Sequence, residues 1–396
     1  MLVRPFAPLV ALVALLGACA PAAAPSPAAR QAGSAAGAAA PPAAVAAPTA
    51  TAAPSVFHLV EGHQGSAADA PAYIAYERGY FKEQGLDVEL ERFNSLENQI
   101  AALASGQLLV GVGGVNAALF NAIARDIPLR IVADKIHYPP DYQGAGWVVR
   151  NDLLDSGQVR EPKDLKGLTI GLGATGSVQM TELDVLLGRG GLTMQDVNPK
   201  NLGYADLAVA FSNRSIDVAY TFEPFTSTIA EQGLARMWTP AGQAVANHEG
   251  AVVIYSPEFA EQHPENAKAW MVAYVKGVRE FVRAFENMNP PDEIVAAMIK
   301  HGDEQDAAKI RRTRPGPVNP DGYPFKDSLR TDLDYFTRAG IVQTPPDLDK
   351  AVDTSFADYA ISRLGQYRAA IPGLELLTKP AIPDVSRRLT SGDRRS

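Results

Sequence analysis

One seven-residue pattern occurs twice in this chain. Ser105-Gly106-Gln107-Leu108-Leu109-Val110-Gly111 and Asn213-Arg214-Ser215-Ile216-Asp217-Val218-Ala219 align without a gap. Each copy closes an apolar helical stretch, crosses a polar turn, enters a short buried strand and opens another helix. Two such copies commit the chain to a pair of α/β half-units. Ligands of open α/β sheets sit beyond the carboxyl ends of the strands, so two facing units hold a small molecule in the cleft between two lobes. That geometry points to binding and release rather than catalysis.

Other chemistries find little support. At 396 residues the chain exceeds the size at which single cores divide, so two packed units are expected. Its net charge of -8 argues against nucleic acid or an anionic membrane surface as the partner. The single cysteine, Cys19, leaves the folded body without a disulfide, a cysteine metal site or a thiol nucleophile. The six histidines show no metal-ligand spacing, and no Gly-x-Ser-x-Gly elbow is present. Neither a cofactor nor a metal is expected.

Residues 1–18 carry Arg4 and then the apolar run Leu9 to Leu16, too short to span a bilayer of about 30 Å and read as a signal peptide. Leu16-Gly17-Ala18-Cys19 resembles the lipobox of bacterial lipoproteins, which implies cleavage before Cys19 and acylation of its thiol and new amine. An ordinary secretory signal is the alternative. Residues 19–55 are mostly Ala, Pro, Gly, Ser and Thr with Arg30 as the one charge, a composition that cannot offset ordering entropy and reads as a tether.

From Val56 onward the alternation of strand and helix is regular. Val56 to Val60 reads as a strand, Pro71 to Gln84 as a helix ended by Gly85, and Leu86 to Glu91 as a half-buried strand, which together make a βαβ unit. The pattern continues through residue 255, with an apolar strand at Gly146 to Arg150 and another at Ala251 to Tyr255. These two strands are taken as the crossings. The first lobe is then 56–149 and 251–380, the second is 150–250, and hinge motion is expected near 148–151 and 249–253. Long amphipathic helices at 264–287, 292–300, 326–339 and 347–364 pack around the lobes, and 381–396 reads as a frayed tail.

Ala70-Pro71-Ala72-Tyr73-Ile74-Ala75-Tyr76-Glu77-Arg78-Gly79-Tyr80-Phe81-Lys82-Glu83-Gln84-Gly85-Leu86-Asp87-Val88 resembles the signature of substrate-binding proteins of nitrate, sulfonate, taurine and thiamine-precursor ABC importers. Asp164 to Gly171, Ser215 to Ala219 and Glu223-Pro224-Phe225 extend the resemblance across about residues 56 to 290. Leu109 departs from it, standing where such proteins often carry Asp, and Asn213 replaces the usual turn glycine; Asn tolerates positive φ. The resemblance implies a two-lobed periplasmic-binding-protein fold of type II, an α/β architecture with two crossing strands. It also implies a monomer that delivers a small-molecule solute to a membrane permease energised by a separate ATPase, held on the outer face of the cytoplasmic membrane or in the periplasm. A sensor that reports its ligand to a partner is a rival reading. A thiamine-pyrimidine synthase of the same fold is another, although such enzymes share a cysteine-rich metal motif that this chain lacks.

The strand ends supply the candidate ligand contacts. In the first lobe these are Gln64, Gly65, Ser66 and Tyr73, where free amides and a helix start favour an anionic or polar group, together with Gly114 and Asn116 after the Leu108 to Val112 strand. In the second lobe Thr175, Gly176 and Ser177 form a glycine-rich turn before a helix; Val178 after Ser177 excludes a P-loop. Each of these fits a helix cap as well as a contact. Glu223 falls at the cleft by the repeat and favours a cationic or amine-bearing ligand, in conflict with the hydroxyls and amides; its structural alternative is a hinge-side carboxylate. Tyr142, Phe222 and Tyr138 can stack on a planar ring, or serve the core. The balance leans toward a sulfonate-like, thiamine-pyrimidine-like or aromatic solute.

Overall fold

The computed structural model describes residues 56–368 apart from Asp126 and Asn287. The signal peptide, Cys19, the tether and the 381–396 tail lie outside the described residues. Ten strands form two sheets. Strands β1 (Phe57–His63), β2 (Leu86–Arg92), β3 (Val110–Gly114), β4 (Arg130–Tyr138), β5 (Ala145–Arg150), β6 (Thr169–Leu172), β7 (Asn198–Asn201), β8 (Val218–Phe222), β9 (Ala235–Pro240) and β10 (His248–Tyr255) follow in chain order. The first sheet is ordered β2-β1-β3-β10-β4 and the second β7-β6-β8-β5-β9. Their patterns match strand for strand. In each, two parallel pairings flank the central strand, β3 or β8, whose other edge pairs antiparallel with a strand from elsewhere in the chain, β10 or β5.

The repeat read from the sequence therefore has a structural counterpart. The helices Leu96–Ala104 and Leu207–Ser212 end, and the helices Ala117–Ala124 and Phe225–Glu231 begin, at the same offset that separates β3 from β8. The turn between helix and strand is left-handed in both copies, at Gly106 (φ +74) and at Arg214 (φ +58). Asn213, where the sequence placed that conformation, sits at φ -89. Its side chain instead accepts the Ser215 amide at 3.0 Å and closes the turn that Arg214 makes.

The crossings lie earlier than the sequence placed them. β5 belongs wholly to the second sheet, where Trp147, Val148 and Val149 are fully buried, and β10 joins the first sheet from His248, opposite Tyr138. The linking segments are therefore 139–144 and 241–247, rather than 148–151 and 249–253. Apolar content alone could not separate a strand that crosses from one that has arrived. Two long helices of the sequence reading are also broken. The first stops at Glu77, turns left-handed at Gly79 (φ +73) and restarts as Tyr80–Glu83, while 347–364 becomes Leu348–Ala351 and Ser355–Leu364.

The helix Pro264–Glu286 covers the first sheet. Trp270 packs at 5.8 Å from Phe81, 5.0 Å from Tyr274 and 5.6 Å from Tyr255, so one helix face seals a core of aromatic rings. The helix Lys326–Arg338 reaches the second lobe as well, through the Arg338–Asp184 ion pair at 2.8 Å. Next to it a fully buried cluster joins the lobes. His248 Nδ1 lies 2.8 Å from Glu182 of the helix Val178–Arg189, and Nε2 lies 3.0 Å from Asp332. Among the described residues no helix is long and apolar enough to cross a membrane.

Candidate functional site

The carboxyl ends of β1, β3 and β8 open onto one cleft of about 560 Å³. Its floor comes from the first lobe: Gln64, Gly65 and Ser66 after β1, Tyr73 on the helix that follows, and Gly114 at the end of β3. Phe222 and Glu223 face it from the second lobe, and Tyr142 from the first linking segment. With Tyr138, which also lines it, the geometry thus gathers nine of the sequence-derived candidates. Gly250 is needed there because a Cβ at this position would stand 2.7 Å from the Tyr138 ring, which lies against the strand. Tyr138 then stacks on Tyr142 at 6.1 Å with 16° between the planes.

Asn116, Thr175, Gly176 and Ser177 are absent from the lining of this cleft. Asn116 caps the helix Ala117–Ala124 by accepting the Leu119 amide at 3.0 Å. The Gly176 carbonyl accepts the Ala117 amide at 2.9 Å, and Asn116 and Ser177 form an antiparallel bridge, so the two turns touch each other across the lobes. The hydroxyls are also engaged, Ser177 Oγ donating to Ala174 at 2.7 Å and Thr175 Oγ1 accepting from Asn201 at 3.0 Å. An inter-lobe contact, rather than an anion cradle, is what this turn builds.

The loop after β1 has a carboxylate of its own. Asp69, only 3 % exposed, accepts from the Ser66 amide at 2.8 Å, the Ser66 hydroxyl at 2.9 Å and the Gln64 amide at 3.3 Å through Oδ2. The Gln64 and Ser66 amides that the sequence offered to a ligand anion are therefore occupied from within. Oδ1 of Asp69 lies 2.8 Å from Nζ of Lys135, a lysine 3 % exposed on β4 that lines the cleft. Glu61 is sealed nearby, its Oε2 accepting the Trp270 indole N–H at 2.9 Å. Burial, with the Asp69 charge adding to it, pushes the Glu61 carboxyl up to about 8 against the restraint of that hydrogen bond, so the group is held neutral at pH 7. His63, bonded to the Tyr73 hydroxyl at 2.8 Å, is pushed down, chiefly by burial.

The other charges of the lining have partners too. Glu223 accepts from the Ser227 hydroxyl at 2.9 Å and the Ser227 amide at 3.3 Å, holding the first turn of the helix Phe225–Glu231. Asp303 pairs with Arg92, and Lys309 with Glu304. Burial first, and the Glu223 charge second, push the Tyr142 phenol up, so it stays a neutral hydrogen-bonding group. Aromatic and aliphatic side chains make up the rest, with Phe222 and Phe225 at 5.6 Å from each other and Phe285, Met298 and Ile310 opposite.

Sequence reasoning missed Lys135 and the wall formed by residues 298–316. The first had a signal: Asp134-Lys135 interrupts an otherwise apolar strand between Ile131 and Ile136. The second had none, because helix periodicity says nothing about where the loop after the helix Asp292–His301 runs.

Comparison with known proteins agrees with this architecture. A Brucella abortus (strain 2308) protein described as a binding protein is 26% identical over 300 residues, covering 72% of this chain and 86% of its own. The formylaminopyrimidine-binding protein of Halalkalibacterium halodurans is 26% identical over 234 residues, 59% of this chain and 66% of that one. A yeast (Saccharomyces cerevisiae) 4-amino-5-hydroxymethyl-2-methylpyrimidine phosphate synthase is 26% identical over 227 residues, 54% of this chain and 63% of that enzyme. Among solved structures, the aliphatic sulphonate binding protein of Escherichia coli superposes with a TM-score of 0.61 at 19% identity, covering 75% of this chain and 92% of that one. The nitrate-binding protein of Synechocystis PCC 6803 gives 0.61 at 16%, covering 78% and 89%. The fold is that of the periplasmic binding proteins. Residues 67–285, more than half of the chain, match the family model described as NMT1/THI5 like, and the chain belongs to that family.

Proposed function

We propose that this protein is an exported solute-binding component of an ABC importer, which captures a small organic molecule between its lobes and presents it to a permease driven by a separate ATPase. The observation that carries this reading is the origin of the cleft walls. They come from both lobes, whose sheets are linked through segments 139–144 and 241–247, so a bound solute contacts two bodies that a hinge can bring together. Kinship with a described binding protein supports it. Lipid attachment at Cys19 and a monomeric state belong to the same proposal.

Thermal unfolding against sulfonates, nitrate, thiamine pyrimidines, flavins and aromatic acids tests the capture step. A ligand at a hundredfold its dissociation constant should stabilise the fold by about 2.7 kcal/mol. A cooperative unfolding transition that no compound moves would count against it. Cys19→Ala should shift the protein from membranes to the soluble fraction, and continued membrane association would defeat the lipid anchor. Similarity to the yeast synthase gives a second reading, an enzyme of the same fold. Recovery of the bound compound chemically unchanged favours capture; a transformed product seen by mass spectrometry favours the enzyme.

A further inference from the structure

Neither turn that the sequence offered as an anion cradle is open to one at this cleft, and the second-lobe turn does not line it. Oδ2 of Asp69 takes the Ser66 and Gln64 amides, and the hydroxyls of the 174–177 turn are engaged within the second lobe. The one buried cation of the lining, Lys135, faces Oδ1 of the same aspartate. We propose that Asp69 is a resident anion occupying the cleft's anion position. The solute is then an uncharged ring compound that offers a carbonyl or ring-nitrogen acceptor to Lys135, and not a sulfonate or nitrate.

This deepens, and rests on, the reading of the cleft as the solute site. A second anion beside Asp69 would face a like charge in a poorly solvated corner whose net charge is already zero. An ammonium carries three N–H donors, and among the described residues Asp69 is the carboxylate within ion-pair distance of this one. Lys135 therefore keeps donors for an uncharged acceptor, while Tyr138, Tyr142 and Phe222 supply flat walls for the ring. Lys135 and Asp69 would together set specificity.

The test titrates wild type, Asp69→Asn and Asp69→Asn/Lys135→Met with ethanesulfonate, nitrate, nicotinamide and cytosine, the last two being uncharged rings. Asn keeps an oxygen for the Ser66 amide while removing the charge. Wild type should favour the uncharged rings. Asp69→Asn should bind ethanesulfonate or nitrate at least about tenfold more tightly than wild type, and the double variant should lose that gain. Wild type binding either anion as tightly as Asp69→Asn, or a folded Asp69→Asn showing no gain, overturns the assignment. Should Asp69→Asn fail to fold, wild type decides: an uncharged-ring shift exceeding both anion shifts supports the proposal, and any other ordering overturns it. Anion binding by wild type that Phe222→Ala abolishes removes the solute class and leaves solute capture standing. No binding of any probe to folded wild type or variant removes both.

Discussion

Glu61 shows how a single buried group ties stability to pH. The folded protein keeps its proton up to about pH 8, whereas the unfolded chain releases it near the ordinary value of 4.5. Between those limits the folded state binds more protons, so the contribution is fully present below about pH 4.5 and is lost as pH rises through 8, with a slope of up to about 1.4 kcal/mol per pH unit. Glu61→Gln, which retains an acceptor for Trp270, should flatten urea-unfolding free energies across that window; an unchanged slope would clear Glu61 of the effect. Arg214 is a different kind of cost, an exposed side chain at φ +58. Arg214→Gly should raise stability by about 1 kcal/mol in the same assay, the relief of left-handed backbone strain exceeding the entropy added to the unfolded chain. A loss of stability would show that Arg214 contacts outweigh the strain. The turn itself was legible in the repeat, but not which residue carries the positive φ, because Asn213 was free to act through its side chain instead.

Among elements, the helix Lys326–Arg338 and strand β10 have the most consequential junction. His248 stands at the start of β10 between Glu182 and Asp332, and the Trp147 indole donates to Glu182 at 3.1 Å, so four elements meet at one imidazole. Burial alone would drive this imidazole down, but the Asp332 and Glu182 carboxylates push it up to about 10, and it is charged at neutral pH. Its contribution is complete below about pH 6.5 and is lost as pH rises through 10. His248→Ala leaves two buried carboxylates uncompensated and should lower stability by about 3–5 kcal/mol in guanidinium unfolding. Adding Glu182→Gln and Asp332→Asn should recover part of that loss, and a histidine variant as stable as wild type would remove the clamp from the account. The sequence displayed these helices through their apolar stripes. It could not display the clamp, because residues 182, 248 and 332 are brought together only by the return of the chain through the second linking segment.

At the scale of the whole molecule, the proposed hinge makes solute exchange depend on parting the contact between the two turns. Asn116 and Ser177 are bridge partners across the lobes, and no cysteine other than Cys19 competes for oxidation. An Asn116→Cys/Ser177→Cys pair, once oxidised, should slow solute release at least about tenfold relative to its reduced form, because opening requires the turns to separate. Equal release rates with the disulfide verified by mass spectrometry would show that exchange proceeds without parting this contact. The sequence by itself determined the two half-units, their helix–turn–strand order and a cleft beyond the strand ends, because hydrophobic periodicity and turn chemistry are local properties repeated along the chain. Only the tertiary structure decided that the second-lobe turn is an inter-lobe contact, that Glu223 holds its own helix, and that Asp69 meets Lys135. Hydrogen bonds and ion pairs form between groups that folding makes neighbours, and residues 69 and 135 become neighbours only when β4 is laid into the first sheet beside β10.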